Sequence, residues 1–258
     1  MSDIIRSCLA PLLATGAGLA YLAGVMALRR RGNRWPISRS AAALGAVGCL
    51  ALALSPPLAS SEDFATHVTQ HLVLTMLAPL LLALSAPITL AVRTLPPAAR
   101  RLVLGLVHSR AARALAFAPA VLALQLGGTY AYYLTGLFEA AEQHPWLHVA
   151  VHMHLFLAGC LLSWYLIGRD PMPARAGVRT RLAVLLVAAA GHDVLAKLMY
   201  ARLLPPGGGS PAQLRAGAQL MFYGGDLIEV ALAVALLLPW YARTGRRLAH
   251  ERRRAALR

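Results

Sequence analysis

Histidines in unusual positions are the residues of this chain with the clearest potential for chemistry. Seven of the nine lie inside long apolar segments or at one end of them. An ionisable side chain is costly to place in a bilayer, so several together indicate a functional site. Imidazole groups with few thiols nearby are typical of a copper site or, less specifically, of a zinc, nickel or iron site. The candidate ligands are His67, His71, His148, His152, His154 and His192.

The spacing of these histidines predicts which of them share a helix face. His67 and His71 are i and i+4, which places them on one face about 6 Å apart along a helix axis. His148 and His152 repeat this spacing, whereas His154 points roughly away from His152. At least two of the latter three can therefore face the interior of a helical bundle.

His192 lies deeper than the other candidates. At about 1.5 Å per residue, it is predicted about 16 Å below the outer end of its helix, near the middle of a bilayer. Met199 is predicted two turns above it on the same face. A thioether above an imidazole is a suitable step for Cu(I), which favours soft ligands.

Charged residues accompany His192 within the apolar segments. Asp193 and Lys197 are i and i+4 and are expected to pair with each other. Lys197 is the single lysine of the sequence, and Asp226 and Glu229 on the last segment are alternative partners for it. These residues either hold two helices together or balance the charge of a cation, and both interpretations stay open.

The composition identifies the class of protein that carries these residues. Of 258 residues, 58% are hydrophobic and 14% are charged, whereas about a quarter of the residues of a soluble domain are charged. We predict an all-α, polytopic bundle over residues 1–241 and a basic cytoplasmic tail over residues 242–258. Seven segments reach the ~20 mainly apolar residues that a membrane-spanning helix needs: residues 8–28, 41–58, 66–92, 114–138, 146–167, 182–203 and 216–241.

The arginines predict the orientation of this bundle. They are concentrated in alternate connections and in the tail, which the positive-inside rule places in the cytoplasm. The N-terminus is therefore predicted outside and the C-terminus inside, and the net charge of +15 indicates membrane topology rather than nucleic-acid binding. Membrane lipids are expected partners of the tail and of residues 100–113, which are predicted to form a helix in the interface. The first segment is too long for a signal peptide and is expected to remain uncleaved.

Other residues with reactive side chains are expected to have ordinary structural roles. Single histidines at helix ends are interpreted as interfacial: His108, His144 and His250. The cysteines are too scattered for a disulfide or a thiolate site and are expected to pack in the interior: Cys8, Cys49 and Cys160. The glycine pairs Gly127-Gly128 and Gly224-Gly225 are expected to allow close helix contacts.

Motifs from the third predicted helix to the seventh form a pattern. They are THVTQHL over 66–72 with Ala78-Pro79-Leu80 and Ser85-Ala86-Pro87, the segment 154–159 with Trp164 and Gly168-Arg169-Asp170-Pro171, then Gly191-His192-Asp193, and Gly224-Gly225-Asp226 with Glu229. This pattern resembles the seven-helix CtaG family of cytochrome c oxidase assembly factors. The chain has no external thiol pair and so does not resemble the single-span copper chaperone that shares the CtaG name.

The resemblance implies a multi-pass protein of the bacterial cell (inner) membrane that is not an enzyme. It implies a role in the maturation of haem-copper oxidases, through the copper of CuA or CuB. The expected partner is a cytochrome c oxidase subunit, and an external copper chaperone is a further candidate as donor. Copper as cofactor is consistent with the imidazole ligands found independently above.

Three functions stay open on the sequence. The first is a copper-binding assembly factor. The second is a transporter of copper or protons with the charged residues beside His192 as a relay, although the inner halves of the same helices lack ionisable residues. The third is a haem b electron carrier, since paired histidines on facing helices also ligate haem. A visible absorption spectrum would separate the third from the first two.

Overall fold

The computed structural model describes residues 2–56, 58 and 63–255, with side chains from residue 12 onward except 57, 59–62, 243 and 247–258. Cys8 and His250 lie outside the described side chains. Every regular element of the described part is a helix. In chain order these are α1 (Ser2–Arg30), α2 (Ile37–Ala53), α3 (Phe64–Leu72), the π-helical segment π1 (Val73–Leu77), α4 (Ala78–Ser85), α5 (Pro87–Thr94), α6 (Pro97–Val107), α7 (Arg110–Leu115), α8 (Ala118–Leu122), the π-helical segment π2 (Ala123–Gly127), α9 (Gly128–Leu134), α10 (Leu137–Gln143), α11 (Pro145–Ile167), α12 (Val178–Arg202) and α13 (Pro211–Ala255).

Five stretches of helix in the described chain are long and apolar enough to cross a membrane. They are Leu12–Arg30, Phe64–Thr94, Pro145–Ile167, Val178–Arg202 and Pro211–Arg246. The other two predicted spans correspond to α2, which has 17 residues, and to α8, π2 and α9, which are three short segments in series. The protein is thus an all-helical membrane protein, while the count of seven spans and the orientation of the termini stay predictions.

The third predicted span, residues 66–92, is not one continuous α-helix. The helix widens at π1 and continues as α4, which begins with Pro79 in its first turn. It stops at Ala86, whose φ of 53° is left-handed, and Pro87 then begins α5. Proline has no N–H to donate and clashes with the preceding turn, so it is tolerated only where a helix starts or is already distorted.

Two predicted boundaries differ from the observed helices. α13 continues past residue 241 to Ala255, so no break in the helix separates the bundle from the basic segment that follows. Residues 100–113, predicted as one interfacial helix, are divided between α6 and α7, and no residue of either helix is buried.

The bundle brings the histidine-bearing helices together. α13 packs along α12 and α3, and α11 packs against π1 and α4. Gly159 of α11 lies against the carbonyl oxygen of Thr75 in π1, where a Cβ atom would not fit. This contact is about one helical turn past His71 and about two past His152. The distorted segment π1 therefore sets how closely the two histidine pairs approach.

A buried carboxylate fastens α5 to the end of α11. Asp170, 1% exposed, accepts hydrogen bonds from the backbone N–H groups of Ile88 at 3.4 Å and Thr89 at 2.7 Å. It also accepts from the hydroxyl of Thr89 at 2.6 Å and the indole of Trp164 at 3.0 Å. Ala86 gives α5 no side-chain cap of its own. Asp170 therefore caps α5 from a distant position in the sequence, which gives the motif that contains it a structural role.

We expect Asp170→Ala to destabilise the protein by about 2–3 kcal/mol. Each hydrogen bond to a charged group contributes about 1.5–3 kcal/mol, and the groups that donate to Asp170 would stay buried without an acceptor. Thermal unfolding of the detergent-purified protein measures the effect. Asp170→Asn keeps one acceptor oxygen, so its unfolding midpoint should lie between those of the wild type and Asp170→Ala. Replacement of the exposed Glu139 by alanine is the control. An unfolding midpoint of Asp170→Ala equal to that of Glu139→Ala would contradict the capping role.

Candidate metal centre

Four imidazoles from α3 and α11 form a cluster, here called the imidazole cluster: His67, His71, His148 and His152. The ring centroids of His67 and His152 are 5.8 Å apart, and those of His148 and His152 are stacked at 4.1 Å. His67, His71 and His152 are buried, and the side chain of His148 is 34% exposed. The two i, i+4 pairs predicted from the sequence thus face each other across the bundle.

Two nitrogens in this cluster are available for a ligand. Nδ1 of His152 is 2.9 Å from the carbonyl oxygen of His148. A carbonyl can only accept, so Nδ1 carries the proton and Nε2 carries a lone pair. That Nε2 is buried without a hydrogen-bond partner, as is Nδ1 of His71, whose Nε2 lies 3.3 Å from the hydroxyl of Thr75. Imidazoles held by one nitrogen with the other free are typical of metal ligands.

Aromatic side chains surround the imidazole cluster. Tyr132 and Tyr133 of α9 are fully buried, and the hydroxyl of Tyr132 lies 3.4 Å from Nε2 of His67. The ring of Phe138 in α10 is 5.2 Å from that of His67, and Phe64 stacks on His67 at 6.1 Å. These rings exclude bulk water, which strengthens any electrostatic or ligand contact made inside.

A carboxylate lies at the more exposed end of the cluster. Oε1 of Glu142, in α10, is 3.4 Å from Nδ1 of His148. The hydrogen bond from His148 outweighs partial burial and holds the pKa of Glu142 below its usual range. A carboxylate with a lowered pKa stays ionised at neutral pH and loses this contact only as the pH falls through that lowered value. The sequence argument did not assign Glu142 a role at the site.

His192 lies with carboxylates rather than with the other imidazoles. Its Nδ1 is 3.6 Å from Oε1 of Glu229. Asp193, Asp226 and Glu229 place carboxylate oxygens within 4.8 Å of one another, and these three residues are here called the carboxylate cluster. Gly225 packs directly on the ring of His192, where a Cβ atom would collide with it. The predicted close helix contact at Gly224-Gly225 is made by Gly225 with the ring of His192 and by Gly224 with the side chain of Leu72.

A small cavity adjoins His192 and Glu229. Its volume is about 20 Å³, enough for one water molecule or ion. Its polar and sulfur-bearing walls include Met76 of π1 and Gln125 of π2, and Oε1 of Gln125 is buried without a partner. Both π segments thus line the same cavity, as is frequent for π-helical turns at functional sites. Nothing in the spacing of the sequence predicted either segment.

Residues 19–243 match the family model for the cytochrome c oxidase caa3 assembly factor (Caa3_CtaG). This range includes every residue of the imidazole and carboxylate clusters. The chain belongs to the caa3 assembly factor family. The resemblance seen in the sequence motifs is thereby confirmed.

This chain is similar to proteins of mycobacteria. It is 35% identical over 185 residues to an uncharacterized protein of Mycobacterium bovis, an alignment that covers 67% of this chain and 28% of the relative. It is 29% identical over 255 residues to an uncharacterized protein of Mycobacterium leprae, covering 90% of this chain and 38% of the relative. The chain therefore spans less than two-fifths of the length of these relatives. No solved structure matches it.

Not every predicted ligand lies in one of the two clusters. His154 is on the exposed side of α11, and its Nε2 is 3.3 Å from the carbonyl oxygen of Leu124 in π2. It therefore ties α11 to π2 and points away from His152, as the spacing predicted. His108 and His144 are exposed and hydrogen-bond to the carbonyl oxygens of Leu104 and Ala140, which agrees with their interpretation as interfacial residues.

The structure differs from the predictions for Lys197 and Met199. Lys197 does not form an ion pair with a carboxylate of the described chain: it is exposed, and its ammonium lies 5.0 Å from the ring centroid of Phe222. The face of an aromatic ring attracts a cation, so Phe222 takes the place of the predicted carboxylate partner. Met199 is fully buried in the apolar core, and Met76 rather than Met199 lines the cavity beside His192.

Proposed function

We propose that the imidazole cluster binds copper and that this integral membrane protein passes it to a copper centre of a haem-copper cytochrome c oxidase. The observation that supports this proposal is the pair of buried imidazole nitrogens without partners, Nε2 of His152 and Nδ1 of His71. A buried polar atom without a partner is unfavourable unless something occupies it. Two to four neutral imidazoles are a suitable ligand set for copper.

The family supplies the reason to prefer copper over zinc. Imidazole alone accommodates both metals, but an assembly factor of cytochrome c oxidase serves an enzyme whose own centres contain haem and copper. Neither described cysteine belongs to the cluster, since Cys49 and Cys160 lie on α2 and in the second half of α11. The copper ligands are therefore drawn from histidines, with His67, His71 and His152 as the buried set and His148 at the entrance.

A lateral groove favours transfer within the membrane. A cavity of about 370 Å³ is bounded by α1, α2, α3 with π1, and α11, and its walls are mainly apolar. His148 and His152 line it, together with Gln70 and Met153. An apolar groove that reaches the ligands from the side is suited to an apolar helix of the oxidase, which could then receive the ion without its passing through water.

The packing of the cluster does not favour a haem b carrier. A porphyrin bound between His67 and His152 needs a flat gap between their helices. Instead, the ring of Tyr132 lies 5.9 Å from that of His67 and 5.8 Å from that of His152. Phe138 occupies a further side of His67. The space between His67 and His152 is filled by side chains and accommodates an ion rather than a macrocycle.

Titration of the purified wild-type protein with Cu(I) under anaerobic conditions tests the proposal. In competition with a chromophoric Cu(I) chelator, we expect about one Cu(I) per chain to be withdrawn by the imidazole cluster, and no haem absorption in the visible spectrum. A protein that withdraws no copper from the chelator, or that purifies with a haem spectrum, would exclude this function.

A further inference from the structure

We propose that His192 and the carboxylate cluster form a second metal site, which binds one divalent transition-metal cation and is separate from the imidazole cluster. The inference goes beyond the proposed copper function and does not depend on it. The donors come from two helices: His192 and Asp193 are adjacent on α12, and Asp226 and Glu229 are i and i+3 on α13.

The positions of the donor atoms meet the first requirement of a metal site. One carboxylate oxygen from each of Asp193, Asp226 and Glu229 lies within 4.8 Å of the other two. The imidazole of His192 adds a nitrogen donor 3.6 Å from Glu229. Ligand atoms bound to one ion about 2.0–2.2 Å away are separated by roughly 3–4 Å, so small side-chain rotations would bring these donors onto a common ion.

His192 provides an independent indication of a ligand. It is 6% exposed, and neither of its ring nitrogens has a hydrogen-bond partner among the described residues. A neutral imidazole has one donor and one acceptor, and leaving both unused in the interior is costly. The ring cannot move away toward α13, because it already lies against Gly225. An ion between His192 and Glu229 would be bound by the lone pair of the His192 imidazole, which has no hydrogen-bond partner among the described residues.

The charges of the site lead to the same conclusion. Carboxylates this close together cannot all ionise in an apolar surrounding unless a cation compensates them. Lys197, one turn after Asp193 on α12, lies over Phe222 and forms no ion pair with a described carboxylate, so its charge acts on Asp193 only from a distance. Oδ1 of Asp193 is buried without a hydrogen-bond partner. A divalent cation would neutralise two carboxylates, and the cavity of about 20 Å³ beside His192 has room for one water ligand.

The donor types decide which cations fit. Cu(I) prefers thioether, thiolate and imidazole ligands, so a set of one imidazole and three carboxylates disfavours it. Mg²⁺ retains several waters and seldom takes imidazole, which also disfavours it. One nitrogen with carboxylate oxygens suits Zn²⁺ or another divalent transition metal. The two clusters are therefore expected to differ in metal preference, with Cu(I) in the imidazole cluster and a divalent cation at His192.

X-ray absorption of the purified wild-type chain loaded with one equivalent of Zn²⁺ tests this assignment. We expect a first shell of one imidazole and otherwise oxygen. A shell of three or four imidazoles would place Zn²⁺ in the imidazole cluster and overturn the proposal, as would a wild-type chain that retains no Zn²⁺ after dialysis.

Variants separate the two sites. In a His67→Ala, His152→Ala background, which disables the imidazole cluster, Zn²⁺ binding should persist. Adding Asp226→Asn and Glu229→Gln should lower Zn²⁺ affinity by at least about 100-fold. Replacement of a residue that only hydrogen-bonds to a metal ligand already changes affinity about 10–100-fold. Glu139→Gln, an exposed change from carboxylate to amide, is the matched control and should have no effect.

The double variant Asp226→Asn, Glu229→Gln in an otherwise wild-type chain should still bind Cu(I). Retained Cu(I) binding would show that the variant is folded. It would also distinguish failure of the second metal site from failure of the copper function. If that double variant does not purify as a single species, the conservative single variants His192→Gln and Asp193→Asn replace it, each with an expected loss of at least about tenfold. Zn²⁺ affinity unchanged by removal of the carboxylates would overturn the proposal.

Discussion

Replacing His67 and His152 together by alanine should leave the purified protein with less than about a tenth of the wild-type copper, because each is a direct ligand in the proposed site. Even the loss of a residue that only hydrogen-bonds to a metal ligand reduces affinity about 10–100-fold. The single variant His71→Ala removes the buried Nδ1 that has no partner and should also lose most of the copper. Elemental analysis of protein purified at matched concentration measures the metal content.

The structure offers matched controls for this experiment. His154→Ala and His108→Ala also remove one imidazole each, but both rings are exposed and bonded to backbone carbonyls away from the cluster. Their copper content should equal that of the wild type. His192→Ala separates the two proposed sites, since it should affect the divalent cation more than Cu(I). Equal copper in the His67→Ala, His152→Ala variant and in wild-type protein would exclude the imidazole cluster as the copper site.

The second large effect is expected in the cell. A strain that lacks the gene should assemble an oxidase that contains haem but is poor in copper and in activity, while total cytoplasmic copper changes little. The reason is that the proposed route ends at the buried copper centre of the oxidase and not in the cytoplasm. Copper and haem of the purified oxidase, with its rate of cytochrome c oxidation, measure the effect.

Complementation with variants connects this phenotype to the site. The wild-type gene and the His154→Ala variant should restore the copper content of the oxidase, and the His67→Ala, His152→Ala variant should not. An oxidase with full copper content in the deletion strain would refute the assembly role. A deletion strain starved of cytoplasmic copper would favour a transporter instead.

Several properties of this protein follow from local features of its sequence. Long runs of apolar residues predict membrane helices because the hydrophobic contribution adds residue by residue along a segment. The i, i+4 spacing of His67 with His71 and of His148 with His152 predicts a shared face because the helical repeat is 3.6 residues. The family could also be predicted, since its motifs are short and contiguous.

The tertiary structure decided which of these side chains meet. α11 is apolar on all sides, so its sequence pattern does not distinguish the face toward α3 from the face toward lipid. The sequence predicts that His152 and His154 point in different directions, but not which of the two points into the bundle. The exposed position of Lys197 depends on the packing of α12 against α13. The i, i+4 spacing of Asp193 and Lys197 carries no information about that packing. The capping of α5 by Asp170 joins residues more than 80 positions apart.

The two π segments and the carboxylate cluster also depend on packing. A π turn distorts the local backbone hydrogen bonds and is retained where packing against a neighbouring helix favours it. At π1, Gly159 of α11 leaves room for the carbonyl oxygen of Thr75. The convergence of Asp193 with Asp226 and Glu229 requires a particular rotation of α12 about its axis. In a helix surrounded by apolar neighbours and lipid, that rotation is set by the shapes of the contacting side chains, because hydrophobicity alone has nearly the same value on every face.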